Sequence, residues 1–221
     1  MSAGLWLAAL VLLSEVQVVF ICCSTVTGES MKKSVFALAI FALATGAVQA
    51  QSAQYKIDPN HTRAIFEAKH FGTSTNRGQW EKSEGEITLD KTAKTGKVDI
   101  TLDMNSISTG VAAFNNHLKS ADFFDVANHP TAKFSGEKFK FDGDKLVEVA
   151  GNLTLRGKTN PIVIKAVHFG CYNHPTLKRE VCGGDFETVI TRSAYDVNWG
   201  LANRATSDDI KVTIQVEAVK Q

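Results

Sequence analysis

Six histidines and four cysteines are the residues of this 221-residue chain best suited to bind a metal or move a proton. His61, His70, His117, His129, His168 and His174 form no His-Glu-x-x-His and no His/Cys pair at zinc-ligand spacing. No Gly-x-Ser-x-Gly surrounds a serine, and no Gly-rich phosphate loop occurs. Asp122, Asp125, Asp208 and Asp209 sit in turn or cap contexts, where aspartate is common for backbone reasons. These residues make no positive case for an enzyme. His61 follows Asp58-Pro59-Asn60 at a strand entry, and His117 lies on a helical segment. Both are candidates for polar groups at a pocket mouth, although a satisfied structural role is commoner for any single histidine.

Charge narrows the partners. Twenty-four Lys and Arg against 23 Asp and Glu leave +1, with no basic run to grip a phosphate backbone. No nucleic-acid partner is expected. Charged residues at 21% and thirteen Phe also argue against disorder.

The first fifty residues differ from the rest. Met31-Lys32-Lys33, an apolar run from Val35 to Ala44, and Val48-Gln49-Ala50 read as a secretory signal over 31–50. Cleavage is expected after Ala50, and the apolar run is shorter than the roughly 20 residues of a spanning helix. Residues 1–30, apolar from Leu5 to Val26, fit an upstream leader from a wrongly chosen start, a membrane segment, or a lipoprotein signal at Cys22 or Cys23. Neither cysteine follows a small residue, so the leader reading is preferred and the chain is expected to begin at Met31. Two Lys and two Glu leave with residues 1–50, so the charge stays at +1. Cys171 and Cys182 remain, an even pair in an exported protein, and a disulfide is expected. A bridge closing so short a loop contributes about 3 kcal/mol in the chain-entropy treatment.

What must position these groups is a set of strands. Lys97 to Met104 places Val98, Ile100, Leu102 and Met104 on one face, and Ile210 to Ala218 alternates in the same way. Weaker alternation covers 62–71, 80–90, 131–141, 145–155, 161–169 and 185–192. Turns are expected at Lys94-Thr95-Gly96, Asp142-Gly143-Asp144, Arg156 to Pro161, and Gly183-Gly184. About eight antiparallel strands at hairpin spacing predict one all-β domain over 51–221, a sandwich or an up-and-down barrel.

One helical segment interrupts them, between Thr109 and Asp125, with Phe114 and Leu118 at i and i+4 and Ser120 able to cap a second short turn. It could lid a barrel mouth or cover one end of the core. Val147, Val149, Gly151, Leu153 and Leu155 share one predicted face, as do Ala64, Phe66 and Ala68. Small residues facing inward leave room for a ligand, and they equally mark bulges or tight curvature.

The run Tyr55 to His70 resembles the opening of the YceI-like family. So do His117-Leu-Lys-Ser-Ala-Asp-Phe-Phe-Asp125 with His129-Pro130 and Phe134, and Gly151 to Pro161. The resemblance covers residues 54–219 in order. It implies an extended lipocalin-like antiparallel β-barrel in the periplasm that holds an isoprenoid lipid or prenyl quinone as ligand, with no other cofactor. Thr62 stands where the family usually has Ser, and Asn115-Asn116 where an Arg-Asp pair is common, which argues against a pyrophosphate headgroup.

On this reading Phe66, Trp80, Ile100, Leu102, Phe114, Leu118, Phe134, Leu153 and Leu155 line the chain. His61, His117, Lys119 and Arg156 are the polar contacts near the mouth. The expected partner is an apolar long-chain molecule, with transient contact to a membrane or membrane protein, and a homodimer is left open. The alternatives are a stress-response or structural module with incidental lipid, and an enzyme acting on such a lipid.

Overall fold

Period-two hydrophobicity bends into a closed surface. The computed structural model describes residues 52–221, so the leader and signal readings of 1–50 lie outside the described residues. In chain order the strands are β1 Ala53–Ile57, β2 Arg63–His70, β3 Ser74–Trp80, β4 Ser83–Asp90, β5 Thr95–Asp103 and β6 Ile107–Ser108. After helix α1, Ala112–Lys119, come β7 Thr131–Asp142, β8 Lys145–Leu155, β9 Lys158–Asn173, β10 Glu180–Thr191 and β11 Asp209–Lys220. Every pairing is antiparallel. Strands β1, β4, β5, β7, β8, β9, β10 and β11 follow one another round a ring, and β11 closes it against β1. The protein is an eight-stranded, lipocalin-like all-β barrel, a size whose interior either fills with side chains or holds one ligand.

One edge of β11 pairs with β10, and its other edge serves two partners. Its residues 218–220 pair with β1 and its residues 211–215 with β2, which carries β3 and β6 beyond it. The break between β1 and β2 falls at residues 58–62. There Thr62, only 3% exposed, places its hydroxyl against both the carbonyl and the N–H of Glu217. The hydroxyl replaces ladder bonds lost at the break, a role that Ser or Thr can fill and Val cannot.

Two ends of the barrel differ. The β4–β5, β7–β8 and β9–β10 hairpins turn at one end. The β8–β9 turn, α1 and the segment 192–208 lie at the other, the helix end. Leu118, Phe123 and Val126 are buried there with Met104, Leu155, Tyr195 and Val197, so α1 and the turn after it close that end of the core. Each such side chain contributes roughly 1.5–3 kcal/mol when fully buried.

Ser120 ends α1 rather than starting a second helical turn. Its hydroxyl donates to the His117 carbonyl, and residues 121–128 continue as turns tied back by Phe124 N–H to Leu118 and Val126 N–H to Lys119.

Glycines explain where turn chemistry misleads. Gly183 and Gly184 lie inside β10, not in a turn. A Cβ on Gly183 would stand 2.2 Å from the Val216 carbonyl oxygen, and one on Gly184 2.0 Å from that of His168. Both glycines therefore serve close approach of neighbouring strands. Gly151 does the same, since its Cβ would meet the Ser135 carbonyl oxygen at 2.3 Å. The register of β8 against β7 shifts between Lys140 and Phe141, and the expected face of β8 shifts with it. Leu146, rather than Val147, is the buried residue at that end. The turn expected over Arg156 to Pro161 is only Arg156-Gly157. Pro161 sits within β9, where the ladder to β10 begins at Lys165 and no donor is needed from it.

Candidate functional site

Alternation turns one side chain in two toward the barrel axis, and those side chains surround a cavity. Ile87 and Leu89 come from β4, and Val98, Ile100 and Leu102 from β5. Val149, Leu153 and Leu155 come from β8, Ile162, Ile164 and Phe169 from β9, and Val212, Ile214, Val216 and Ala218 from β11. The space they line runs inside the barrel and opens in part to solvent. Ile100, Phe134, Ile162 and Ile214 pack against the buried clusters yet are only half-buried, because the cavity itself leaves them accessible. Lys133 also borders the space, but it is exposed between inward-facing Ala132 and Phe134 on β7. No carboxylate lines the cavity among the described residues.

Six of the nine expected lining residues border this space: Trp80, Ile100, Leu102, Phe134, Leu153 and Leu155. Phe66, Phe114 and Leu118 stand outside it, packed in the cluster at the helix end. Phe66 packs tilted against Trp80 with ring centroids 5.4 Å apart, and Phe124 meets Trp80 edge-on at 5.6 Å. The β11 row is one of the two clear alternations in the sequence, and its place in the wall follows once the barrel is closed. Phe169 and Phe186 fall in the weakly alternating segments of β9 and β10, on either side of the register shift between Asp185 and Phe186, and only that shift brings both to the cavity.

The four polar candidates do not converge. His61 lies on the turn between β1 and β2, where its carbonyl accepts from Gln215, and its ring pairs with Asp58 at 2.8 Å. His117 stands at the helix end, edge-on to Phe123 and Trp199, with Asp122 at 3.3 Å. Arg156 donates to the carbonyls of Asp196 and Ala121, tying the β8–β9 turn to two loops. Lys119 is half-buried at the end of α1. In place of the family's Arg-Asp pair, Asn115 accepts from both the N–H and the hydroxyl of Thr109, while Asn116 is exposed.

Asp58 raises the His61 pKa above the ordinary imidazole range, first by hydrogen bonding and then by charge, and His61 holds Asp58 low. A raised imidazole contributes stability below its unfolded pKa and loses it as pH rises through the folded value. A lowered carboxyl does the reverse, losing its contribution as pH falls through its own value. The pair is therefore strongest in mildly acidic solution. In an NMR titration His61 should titrate above the free imidazole, and Asp58→Asn should return it to the ordinary range. An unshifted His61 in the wild type would remove the pair from solution.

Toward the hairpin end the polar groups are paired. Tyr55, fully buried, donates to Glu180 at 2.6 Å, and Lys91 meets the other carboxylate oxygen at 2.6 Å. Lys91 and then Tyr55 hold Glu180 below the usual carboxylate range, while burial and Glu180 push the Tyr55 phenol up. Next to them Cys171 and Cys182 face each other across β9 and β10 and form the expected disulfide, with S–S 2.02 Å. Cys182 borders the cavity.

Residues 55–218 match the YceI-like domain family. A UPF0312 protein of Pseudomonas paraeruginosa is 34% identical over 197 residues, covering 86% of this chain and all of its own length. The chain belongs to the YceI-like family. Among solved structures, the YCEI protein of Campylobacter jejuni matches this YceI-like chain with a TM-score of 0.58 and 26% identity, covering 69% of this chain and 90% of its own. A polyisoprenoid binding domain from Saccharophagus degradans, implicated in plant cell wall breakdown, shares the fold with a TM-score of 0.54. It is 15% identical and covers 76% of this chain and 98% of its own.

Proposed function

We propose that this YceI-like protein is a periplasmic binding protein that holds, carries or sequesters a long-chain isoprenoid lipid or prenyl quinone in its barrel, without catalysis. The observation that carries this reading is the cavity inside the barrel, walled by aliphatic and aromatic side chains with almost no polar surface. Water in such a space finds almost no hydrogen-bond partners, whereas a hydrocarbon chain loses nothing by entering it. The polyisoprenoid binding of the Saccharophagus degradans domain supports the same class of ligand.

Each five-carbon isoprene unit offers roughly 3–4 kcal/mol of gross transfer energy, at about 0.8 kcal/mol per buried carbon. Several units exceed what association usually nets after its entropic cost. Chain length thus sets affinity, and the end group sets orientation. A series of prenyl alcohols of one to eight units, titrated into delipidated protein, tests this. Affinity should climb steeply with chain length and level off once the barrel is full. Equal affinity for short and long chains, or none for any, would contradict the proposal.

A further inference from the structure

β9 changes partners part-way along the barrel. Residues 158–165 pair with β8 and residues 165–173 with β10, so only Lys165 has a strand on both sides. Toward the helix end, β9 from Lys158 to Ile164 and β10 from Thr188 to Thr191 are therefore neighbours without a ladder, and β10 pairs there only with β11. Two side chains clasp this slit: the Thr188 hydroxyl donates to the Val163 carbonyl at 2.9 Å, and the Asn160 amide to the Ala194 carbonyl at 3.0 Å. Pro161 stands between them. Proline has no N–H for a ladder and is confined to strand edges and bulges, and β9 here is an edge.

The slit has the cavity behind it and an apolar rim in front. Ile162, Ile164, Thr188 and Ile190 border the interior space. The residues between them face outward: Val163 is 46% exposed, Val189 60%, and Pro161 is exposed as well. Single apolar side chains on a surface need no reason, but three along one opening do. A shorter interruption, between residues 145–147 of β8 and 166–168 of β9, is of another kind. Leu146 is buried there, and Lys145 and His168 are exposed beside it.

We infer that the apolar chain enters and leaves the barrel sideways, through the slit between β9 and β10, with Pro161, Val163 and Val189 as the surface that receives it. The inference rests on the proposed apolar-chain function and adds the route that function leaves open. The two ends serve a chain less well. Leu118, Phe123 and Val126 fill the helix end with packed side chains. At the hairpin end a hydrocarbon would pass the Tyr55, Glu180 and Lys91 group, whose charges it cannot solvate. Parting β9 from β10 breaks side-chain clasps rather than a ladder, and each costs no more than a single hydrogen bond. An apolar rim also lets a chain pass from a lipid surface into the cavity without crossing water.

Cross-linking the slit tests this. Val163→Cys with Val189→Cys, joined by a short bismaleimide, ties the two strands together. Thr154→Cys with Thr159→Cys, joined in the same way across the paired part of β8 and β9, is the control. The measurement is the rate at which the full chain exchanges a fluorescent anthraniloyl ester of tetraprenyl alcohol with phosphatidylcholine vesicles, with reagent-treated wild type alongside. Protein linked at the slit while loaded should hold its probe, and protein linked while empty should stay empty, both exchanging at least tenfold more slowly than before linking, on the order of a blocked dissociation step. The control link should leave exchange at the wild-type rate. The inference is overturned if the slit link alters exchange by less than about twofold, or if the control link slows it equally. Failure of the unlinked wild type to bind the probe would contradict the apolar-chain function itself, and this inference with it.

Discussion

Ile100→Trp is expected to lower affinity for a long prenyl chain by about 100-fold or more while leaving the barrel folded. Ile100 stands on β5 opposite Phe134, with its side chain on the cavity. It is half-buried, and the part that remains accessible faces the interior space. An indole there grows into a void rather than into packed atoms, so the overpacking cost of a filled core is largely avoided. It occupies the volume that the chain needs and forfeits the burial of several carbons. Isothermal titration with the prenyl series, beside a melting curve, checks both halves. Unchanged affinity in a folded variant would place the chain elsewhere.

The largest effect on stability belongs to Arg192→Met. Arg192 is 5% exposed, and its three donor nitrogens reach the carbonyls of Ser207, Val197 and Trp199. Asp208, which anchors Ser193 through its side chain and backbone, supplies the nearby negative charge. The guanidinium thus replaces a ladder for the segment between β10 and β11, which has almost none of its own. Methionine keeps the apolar stem but leaves three carbonyls unpaired, and hydrogen bonds to a charged group are worth about 1.5–3 kcal/mol each before relaxation. A net loss of about 3–5 kcal/mol is expected, seen as a melting temperature lower by roughly 10 °C. A melting temperature within a degree of wild type would show that the segment holds itself together by other means.

Much of the barrel was legible because its strands are half-buried, and half-burial writes itself as period two. Val98 to Met104 and Ile210 to Ala218 show it, and their inward faces are the observed ones. β1 and β3 were not read as strands of their own. β1 is five residues long, and β3, Ser-Thr-Asn-Arg-Gly-Gln-Trp, has too few apolar side chains to alternate. Their pairing is set by β11 and β2, not by local pattern. Gly183 and Gly184 look like a turn to any local rule, and only the carbonyls of Val216 and His168 give the real reason for them.

The site divides in the same way. Trp80, Ile100, Leu102, Phe134, Leu153 and Leu155 were readable as wall residues. Phe66, Phe114 and Leu118 carry the same apolar signal, and only the closure of the helix end assigns them to packing instead. The small inward residues taken as a cue to a cavity turned out to mix two causes, with Ala64 bordering the space and Gly151 admitting a neighbouring strand. Arg192 left no trace in the sequence, since its partners are main-chain carbonyls.

The most direct test is a native mass spectrum of the protein purified from its own host without detergent. One apolar molecule per chain is expected as a mass increment that disappears on solvent extraction and returns when a prenyl chain is added. A chain that repeatedly flies at its bare mass, and takes up no prenyl chain afterwards, would contradict the account.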